Sequence, residues 1–317
     1  MRLRHLLAAL TLLLLGCAAR AAYPDRPVKI IVPFSAGAAA DAVVRPLAAR
    51  LSQAWGQQVL VENRPGLTVG PQAAAAAAAD GYTLLFGAAS TMVTTPITAT
   101  KLPYNVQRDF VPITRLVTLP PVLTVNPSLG VKTLAELIAL AKARPNTVFY
   151  ASSGTGAPNH LGMEYLLSLA GAAPLYGTCT MSPPAVVDLV GNQVQAAFSA
   201  LPSVLGHIRS GRLVALAVGG QKRTPLLPDV PSAAETVPGF EYFAWYGLFA
   251  PTGTPAGVVE KVRADVAQAL GAPELQRLMR AEGSEPAPST GAELTKLIEH
   301  ETALWLRIMK QRNIKLD

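Results

Sequence analysis

Cysteine is scarce in this chain, which carries only Cys17 and Cys179 among its 317 residues. Cys17 lies in an N-terminal segment that we expect to be removed, so the mature protein would keep one thiol. A single thiol excludes an internal disulfide and a zinc site built on a cysteine pair. No other feature of the sequence indicates a metal or a cofactor, and we expect neither.

The sequence motifs of the common catalytic sites are also missing. There is no Gly-x-Ser-x-Gly elbow, no Walker sequence, no Gly-x-Gly-x-x-Gly after the first strand and no His-Glu-x-x-His. The nearest resemblance to a nucleophile site is "SSGTG", which contains Ser153 and precedes His160, but no acidic residue stands out by spacing as a partner for the histidine. We interpret His160 as a histidine that bonds a local carbonyl in the first turn of a helix, and we predict that the protein is not an enzyme.

Charge is low and nearly balanced. Charged residues make up 15% of the chain, with 27 basic and 20 acidic side chains. Removal of residues 1–22 would take away three arginines and leave a mild excess of four positive charges. No block of Lys and Arg is interleaved with aromatic residues, so we do not expect nucleic acid as a partner.

The N-terminal segment has the layout of a secretory signal peptide. Arg2 and Arg4 precede an apolar stretch over residues 6–15, and small residues follow. The apolar stretch is too short to span a membrane, so we expect removal of residues 1–22 and a periplasmic protein. A second interpretation stays open, because "LLGC" resembles a lipoprotein box that would leave Cys17 lipidated.

Beyond residue 22 the chain is long and apolar enough for two modest cores. Strand-like runs such as "VKIIVPF" and "TLLFG" alternate with helical periodicity, which favours an α/β fold with mainly parallel sheets. Two such blocks and a helical tail predict two lobes. We place residues 23–121 and 246–317 in the first lobe and residues 122–245 in the second.

Several helices can be placed from local signals. The alanine run over residues 73–79 predicts the interior of a helix. Pairs of residues that are typical of helix N-termini predict three helix starts, namely Thr133 with Glu136, Thr254 with Pro255, and Thr290 with Glu293.

Small and hydroxyl-bearing residues recur where predicted strands end. They occupy residues 35–40, 88–91 and 152–157, and more loosely 178–182 and 199–203. In a parallel α/β lobe such loops collect at the carboxyl ends of the strands, where ligands bind, and the helix starts that follow carry partial positive charge. The set of loops favours a protein that binds an anion, although any one of them is ordinary turn material.

Long segments in an ordered series resemble the Bug/TctC solute-binding receptors of tripartite tricarboxylate transporters. They include "RPVKIIVPF", "VENRPG", "DGYTLLFG", "LPYNVQRDF", "YASSGTG" with "NHLGMEYL", "DLVGNQVQAAF", "LLPDVPSAAE" and "WYGLFAPTGTP". The resemblance covers nearly all of the chain beyond residue 22. It implies a type II periplasmic binding protein, a monomer whose two α/β lobes close on a small organic carboxylate and pass it to a membrane permease.

Carried over by position, the resemblance also implies a set of ligand contacts from both lobes. The implied contacts are Phe34, Ser35, Gly37, Ala38, Ala39, Ala88, Ser90, Thr91, Ser152, Ser153, Gly154, Thr155, His160, Thr178, Cys179, Thr180 and Ser199.

Three of these loops depart from the residues usual in the family. The first reads "SAGAAAD", with alanines around Gly37 in place of Pro and Gly, and their Cβ atoms limit the approach of a ligand to the backbone. The second has residues 178–181 in place of Pro-Tyr-Lys-Gly, and the third has Ser199 and Ala200 in place of Asp-Asn. Because polar anchors are lost, we predict a less polar ligand than citrate, such as an aromatic or branched carboxylate. Two alternatives stay open: a receptor that senses for a membrane kinase, and a degenerate member that binds weakly.

Overall fold

A computed structural model describes residues 23–145, 147–179 and 184–315. In these residues the strands form two separate sheets with helices packed against them, which confirms the α/β class. The first sheet has six strands in the order β11-β4-β10-β3-β1-β2. Its strands are β1 (Val28–Val32), β2 (Val59–Asn63), β3 (Thr83–Ala88), β4 (Phe110–Leu119), β10 (Ala244–Pro251) and β11 (Glu285–Pro286).

The second sheet has five strands in the order β7-β6-β8-β5-β9. Its strands are β5 (Val122–Val125), β6 (Phe149–Ser152), β7 (Tyr176–Cys179), β8 (Ala196–Ser199) and β9 (Val214–Val218). In each sheet three neighbouring strands run parallel, β2-β1-β3 in the first and β7-β6-β8 in the second, and the remaining pairs are antiparallel. Each sheet therefore has one edge at which several strand ends and helix starts meet.

The helices are numbered in chain order. They are α1 (Ala39–Trp55), α2 (Val69–Ala75), α3 (Thr95–Thr98), α4 (Val106–Asp109), α5 (Leu134–Ala143), α6 (Pro158–Leu169), α7 (Pro184–Val190), α8 (Leu201–Arg209), α9 (Ala233–Thr236), α10 (Ala256–Leu270), α11 (Pro273–Ala281) and α12 (Gly291–Gln311). A turn of π-helix, Ser90–Thr94, leads into α3, and a 3-10 turn, Pro127–Leu129, precedes α5.

Two of the three predicted helix starts are confirmed, because complete capping boxes open α5 at Thr133 and α12 at Thr290. The third is wrong: Pro255 occupies the N-cap position of α10, and the Thr254 hydroxyl donates to the Pro251 carbonyl instead. The helix predicted in the alanine run over residues 73–79 begins and ends earlier, at Val69–Ala75.

The chain passes from the first sheet to the second at Pro120 and Pro121, between β4 and β5, and returns between β9 and β10. Main-chain hydrogen bonds join the two crossings. Gly219 N donates to the Pro121 carbonyl at 2.8 Å, and Tyr242 N donates to the Gly219 carbonyl at 2.8 Å. The connection between the sheets is therefore a small hydrogen-bonded unit. The exact lobe boundaries stay a prediction.

Helix α12 contacts elements of both halves of the molecule. It packs against β4, against the π-helical turn and against α6, which belongs to the second half. Just beyond its end, Arg312 Nε lies 2.6 Å from Glu164 Oε2 on α6, and both side chains are largely buried. Trp305 of α12 stacks edge-on against Tyr165 and Tyr242. The C-terminal helix thus covers the back of the region where the two sheets approach.

Candidate functional site

A cavity of about 380 Å³ lies between the two halves, and we call it the main cavity. The first half contributes Ala39 and Tyr246 to its walls. The second half contributes Ser153 and Ser199, and the crossing segments contribute Tyr242. No acidic or basic side chain of the described residues lines it. An anion held here would have to rely on backbone and hydroxyl groups.

Four helices line the main cavity with their first turns, and besides α7, which contributes Ala185 and Val186, three have N-caps that the structure describes. Helices α1, α6 and α8 follow the parallel strands β1, β6 and β8, and their first turns supply Ala39, Asn159 and Leu201 to the cavity wall. Their N-cap residues are all alanine, and none of the three carries a side-chain cap. Helices α10 and α11 also lack caps but start elsewhere. Pro158 and Pro202 have no N–H, and His160 N donates to Asn159 Oδ1 at 3.1 Å. The other main-chain N–H groups of these uncapped first turns are placed to receive an anion.

The loop before α1 is held in place by Asp41. Its Oδ2 atom accepts hydrogen bonds from Gly37 N at 2.7 Å and from Arg45 Nε at 2.9 Å, while Oδ1 accepts from Asn63 Nδ2 at 3.0 Å. Burial by itself would raise the pKa of Asp41, but the hydrogen bonds from Asn63, Gly37 and Arg45 hold it below its usual range. Gly37 has φ +80°, which explains the single glycine of "SAGAAAD".

Asn159 organises the loop before α6. Its Oδ1 atom accepts from Ser153 N at 3.1 Å, and its Nδ2 atom donates to Ser153 Oγ at 3.3 Å. His160 Nδ1 accepts from Gly156 N at 3.0 Å, so this histidine bonds a local backbone N–H rather than the carbonyl expected from the sequence. Burial lowers the pKa of His160, and the ring is therefore neutral at neutral pH. Its role in the structure is to fix the loop.

A second, smaller cavity of about 150 Å³ adjoins the main cavity, and the two share Pro158, Tyr242, Ala244 and Tyr246. We call it the aromatic cavity. Its remaining wall includes the side chains of Phe34, Phe243, Trp245, Glu301 and Trp305. The two cavities together provide a polar end, where helices start, and an aromatic end.

The residues expected to contact ligand divide into two groups. Those that line one of the cavities are Phe34, Ala39, Ala88, Ser90, Ser153 and Ser199. Those of the same loops that lie outside the cavity walls are Ser35, Gly37, Ala38, Thr91, Ser152, Gly154, Thr155 and His160. Thr178 and Cys179 end β7, with Cys179 in register with Ser152 of β6. Thr180 lies outside the described residues.

Burial explains part of this division. Thr91 is fully buried, and its hydroxyl both donates to the Ala88 carbonyl and accepts from Ala88 N at the start of the π-helical turn. Ser152 is also buried, and its Oγ accepts from Gly154 N. Both hydroxyls shape the loops that carry Ser90 and Ser153. The assignment of each residue as a ligand contact stays a prediction.

The sequence did not single out Tyr242, Tyr246, Asn159 or Glu301 as site residues. Tyr242 and Tyr246 line both cavities, and neither hydroxyl has a hydrogen-bond partner among the described residues. Burial raises the pKa of Tyr246 to about 12 and that of Tyr242 further, so both hydroxyls can donate at neutral pH. The stretch "FEYFAWYGLFAP" could have indicated these residues, since it concentrates aromatic side chains in the segment that crosses between the halves.

Known proteins with the same architecture identify the class of receptor. A family model described as the tripartite tricarboxylate transporter family receptor, TctC, matches residues 43–314. Protein BugT of Bordetella pertussis is 36% identical over 298 residues, which cover 93% of this chain and 91% of BugT. The chain belongs to the TctC family. The resemblance seen in the sequence is thereby confirmed, and so is a two-lobed α/β binding protein that is a receptor rather than an enzyme.

Solved structures of relatives share this fold and hold organic acids. A Rhodopseudomonas palustris protein solved with adipate is 32% identical, has a TM-score of 0.78, and the match covers 92% of this chain and 99% of that one. MatC from Rhodopseudomonas palustris with bound malate is 29% identical, with a TM-score of 0.73 and coverage of 90% and 99%. TctC-family receptors are periplasmic. Within the described part of the chain, no helix is both long and apolar enough to cross a membrane.

Proposed function

We propose that this receptor captures a small organic carboxylate in the cleft between its lobes and delivers it to the membrane permease of a tripartite tricarboxylate-type transporter. The observation that supports this most directly is the convergence of the uncapped α1, α6 and α8 N-termini on the main cavity. A carboxylate there would be held by main-chain N–H groups and helix dipoles. Relatives that hold adipate and malate support the same ligand class.

We further propose that the ligand is less polar than citrate, with an apolar, aromatic or branched part. The main cavity has no basic side chain of the described residues in its wall, and a tricarboxylate would leave charges without partners. The aromatic cavity offers Phe34, Trp245 and Trp305 to an apolar group. A monocarboxylate or a short dicarboxylate therefore suits the two cavities better than citrate does.

Export and the route of transport belong to the same proposal. The layout of residues 1–22, which lie outside the described part, supports a cleaved signal peptide, with lipidation of Cys17 as the alternative. Intact-mass measurement of the protein purified from periplasm distinguishes the two, because the cleaved form begins near Tyr23 and the lipidated form begins at Cys17. We expect the first result and a monomer.

The ligand test is a thermal-shift screen of the refolded, ligand-free protein against organic acids and their neutral amides. A true ligand stabilises the native state in proportion to the logarithm of its concentration, so a rise in Tm that depends on concentration is expected for an acid and not for the matching amide. Citrate should bind more weakly than aromatic or branched monocarboxylates. If no acid raises Tm, or if citrate binds most tightly, the corresponding part of the proposal is wrong.

A further inference from the structure

Glu301 is a buried carboxyl group at the wall of the aromatic cavity. It lies on α12, its side chain is more than nine-tenths buried, and its Oε2 atom accepts a hydrogen bond from Trp245 Nε1 at 3.0 Å. It is the acidic side chain that lines this cavity among the described residues, and the other polar side chains there include Ser90 and Thr94. A carboxyl group in so apolar a wall is costly unless it is neutral or paired.

Among the described residues, no basic side chain forms an ion pair with Glu301. Arg115 on β4 acts on Glu301 through its charge, but its Nε donates to the Ala287 carbonyl at 3.1 Å. Glu241, from the second crossing, raises the pKa of Glu301 through its negative charge. The Tyr242 phenol nearby is neutral, because burial raises its pKa. On α6, which packs against α12, Glu164 is already paired with Arg312.

Burial therefore decides the protonation state of Glu301. It raises the pKa of the carboxyl to about 8, against the opposing effects of the Trp245 hydrogen bond and of Arg115. Near pH 7 most molecules carry the proton. Because the bond from Trp245 uses a lone pair of Oε2, the acid proton remains available as a donor towards the cavity. The aromatic cavity thus contains a carboxylic acid donor in addition to the hydroxyl groups of its wall.

We propose that Glu301 is a specificity-determining residue: its protonated carboxyl group donates a hydrogen bond to an uncharged carbonyl oxygen at the end of the ligand remote from the carboxylate. This inference rests on the proposed carboxylate-binding function and adds the chemistry of the second end. An uncharged acceptor is favoured over a second carboxylate because no basic side chain of the described residues lines the aromatic cavity. A purely apolar end would leave the buried donor unsatisfied.

The experiment compares three six-carbon acids by calorimetry at pH 6.5 and pH 9.5. Hexanoate has no second polar group, 5-oxohexanoate has a ketone acceptor, and adipate has a second carboxylate. All three are ionised at both pH values, so the carboxylate contact is constant. The proteins are the wild type, Glu301→Gln, which keeps a donor without a titrating proton, and Glu301→Leu, which has none. Glu299→Gln is the control, because it makes the same change at an exposed position of the same helix.

The wild type and Glu299→Gln should bind 5-oxohexanoate about tenfold more tightly than hexanoate at pH 6.5, and the preference should disappear at pH 9.5. Glu301→Gln should keep the preference at both pH values, and Glu301→Leu should lose it at both. Because the readout is a ratio of two ligands on one protein, a general loss of stability in a variant does not imitate the result.

Three results would overturn the inference. If hexanoate binds but the ketone gives no preference in the wild type, or if Glu301→Leu keeps that preference, Glu301 does not contact the ligand. If adipate is the tightest ligand of the wild type at pH 6.5, the acceptor is charged and the assignment to an uncharged carbonyl is wrong. If none of the three acids binds the wild type while another organic acid raises Tm in the screen, the carboxylate function stands and the inference is wrong.

Discussion

Gly37 shapes the loop before α1 through its backbone conformation. Its φ of +80° lies in the left-handed region, and a Cβ added there would meet nothing within 4 Å. The requirement for glycine is therefore conformational and not steric. Its N–H is bound to Asp41, so the shape of this turn determines where the first turn of α1 presents its own N–H groups.

Gly37→Ala should lower both stability and affinity. The strained backbone costs about 1 kcal/mol of unfolding free energy, and relaxation of the turn would move the α1 N-terminus relative to the main cavity. Gly130→Ala is the matched control, since Gly130 has φ +75° with equally open surroundings but lies away from the cavities. Urea unfolding should give similar losses for the two variants, whereas calorimetry should show weaker ligand binding only for Gly37→Ala. Equal affinities in the two variants would contradict this role.

The protonation of Glu301 has a consequence for stability as well as for recognition. Its pKa is about 8 in the folded protein and 4.5 in the absence of the fold, so the native state binds the proton more tightly. The contribution of the protonated Glu301 to the unfolding free energy is complete below pH 4.5. It is lost as the pH rises from 4.5 to 8, because in this range the unfolded chain releases the proton and the folded protein keeps it.

We therefore expect the unfolding free energy of the wild type to fall relative to Glu301→Gln between pH 5 and pH 8.5. Each unit of pKa difference corresponds to about 1.4 kcal/mol, so the relative loss should be on the order of a few kcal/mol. Chemical denaturation at a series of pH values measures it. A constant difference between the two proteins over this range would show that Glu301 is ionised throughout.

At the scale of elements, the three complete capping boxes of the described helices all lie away from the main cavity, although α2, α3, α10 and α11 also start without a side-chain cap. Helices α5, α9 and α12 start with complete capping boxes, whereas α1, α6 and α8 start on alanine and face the main cavity. In α6 the Oδ1 atom of Asn159 accepts from Ser153 N and also from His160 N, so one side chain links the preceding loop to the first turn of its own helix.

Asn159→Ala should reduce ligand affinity by about tenfold with a small effect on stability, because two hydrogen bonds that hold Ser153 are lost from an exposed loop. Thr133→Ala should do the opposite. It removes the cap of α5, which is worth about 1 kcal/mol, and leaves the cavities unchanged. Thermal unfolding measures the stability of the two variants and calorimetry measures their ligand affinity. If Thr133→Ala weakens ligand binding as much as Asn159→Ala does, the two roles are not separate.

Elements were predictable from the sequence where one local signal dominated. The starts of α5 and α12 follow from a threonine and a glutamate three residues apart, which satisfy each other within one turn. The start of α10 lies one residue later than expected, because Pro255 has non-helical backbone and its carbonyl accepts the first helical hydrogen bonds, from Val258 N and Val259 N. Glu301 and Tyr246 could not be placed in a site, because the contacts that bury them come from residues far away in the chain.

The whole molecule depends on how two sheets are connected. Gly219 sits between the crossings, where an added Cβ would lie 2.4 Å from the Tyr242 carbonyl oxygen and 3.1 Å from Pro121 Cδ. Backbone atoms cannot yield as a flexible side chain does. Glycine is therefore required here by close approach, which couples the two crossing segments to each other.

Gly219→Ala should destabilise the protein by about 1–3 kcal/mol through overpacking, and should also weaken binding because the crossings are forced apart. Gly206→Ala is a useful contrast. Gly206 lies in α8, an added Cβ there meets nothing within 4 Å, and the change should raise stability by about 0.5–1 kcal/mol. Urea unfolding should show a lower unfolding free energy for Gly219→Ala and a higher one for Gly206→Ala. An unchanged unfolding free energy of Gly219→Ala would show that the crossings can separate freely.

Recognition by helix N-termini also bears on how such receptors can diversify. Main-chain N–H groups persist through any substitution except proline, so the donors of the proposed carboxylate site would be inherited with the fold itself. Gene duplicates are then free to exchange the alanines, serines and aromatic residues of the cavity walls. Ligand specificity could then change one substitution at a time while each intermediate protein still binds the carboxylate group.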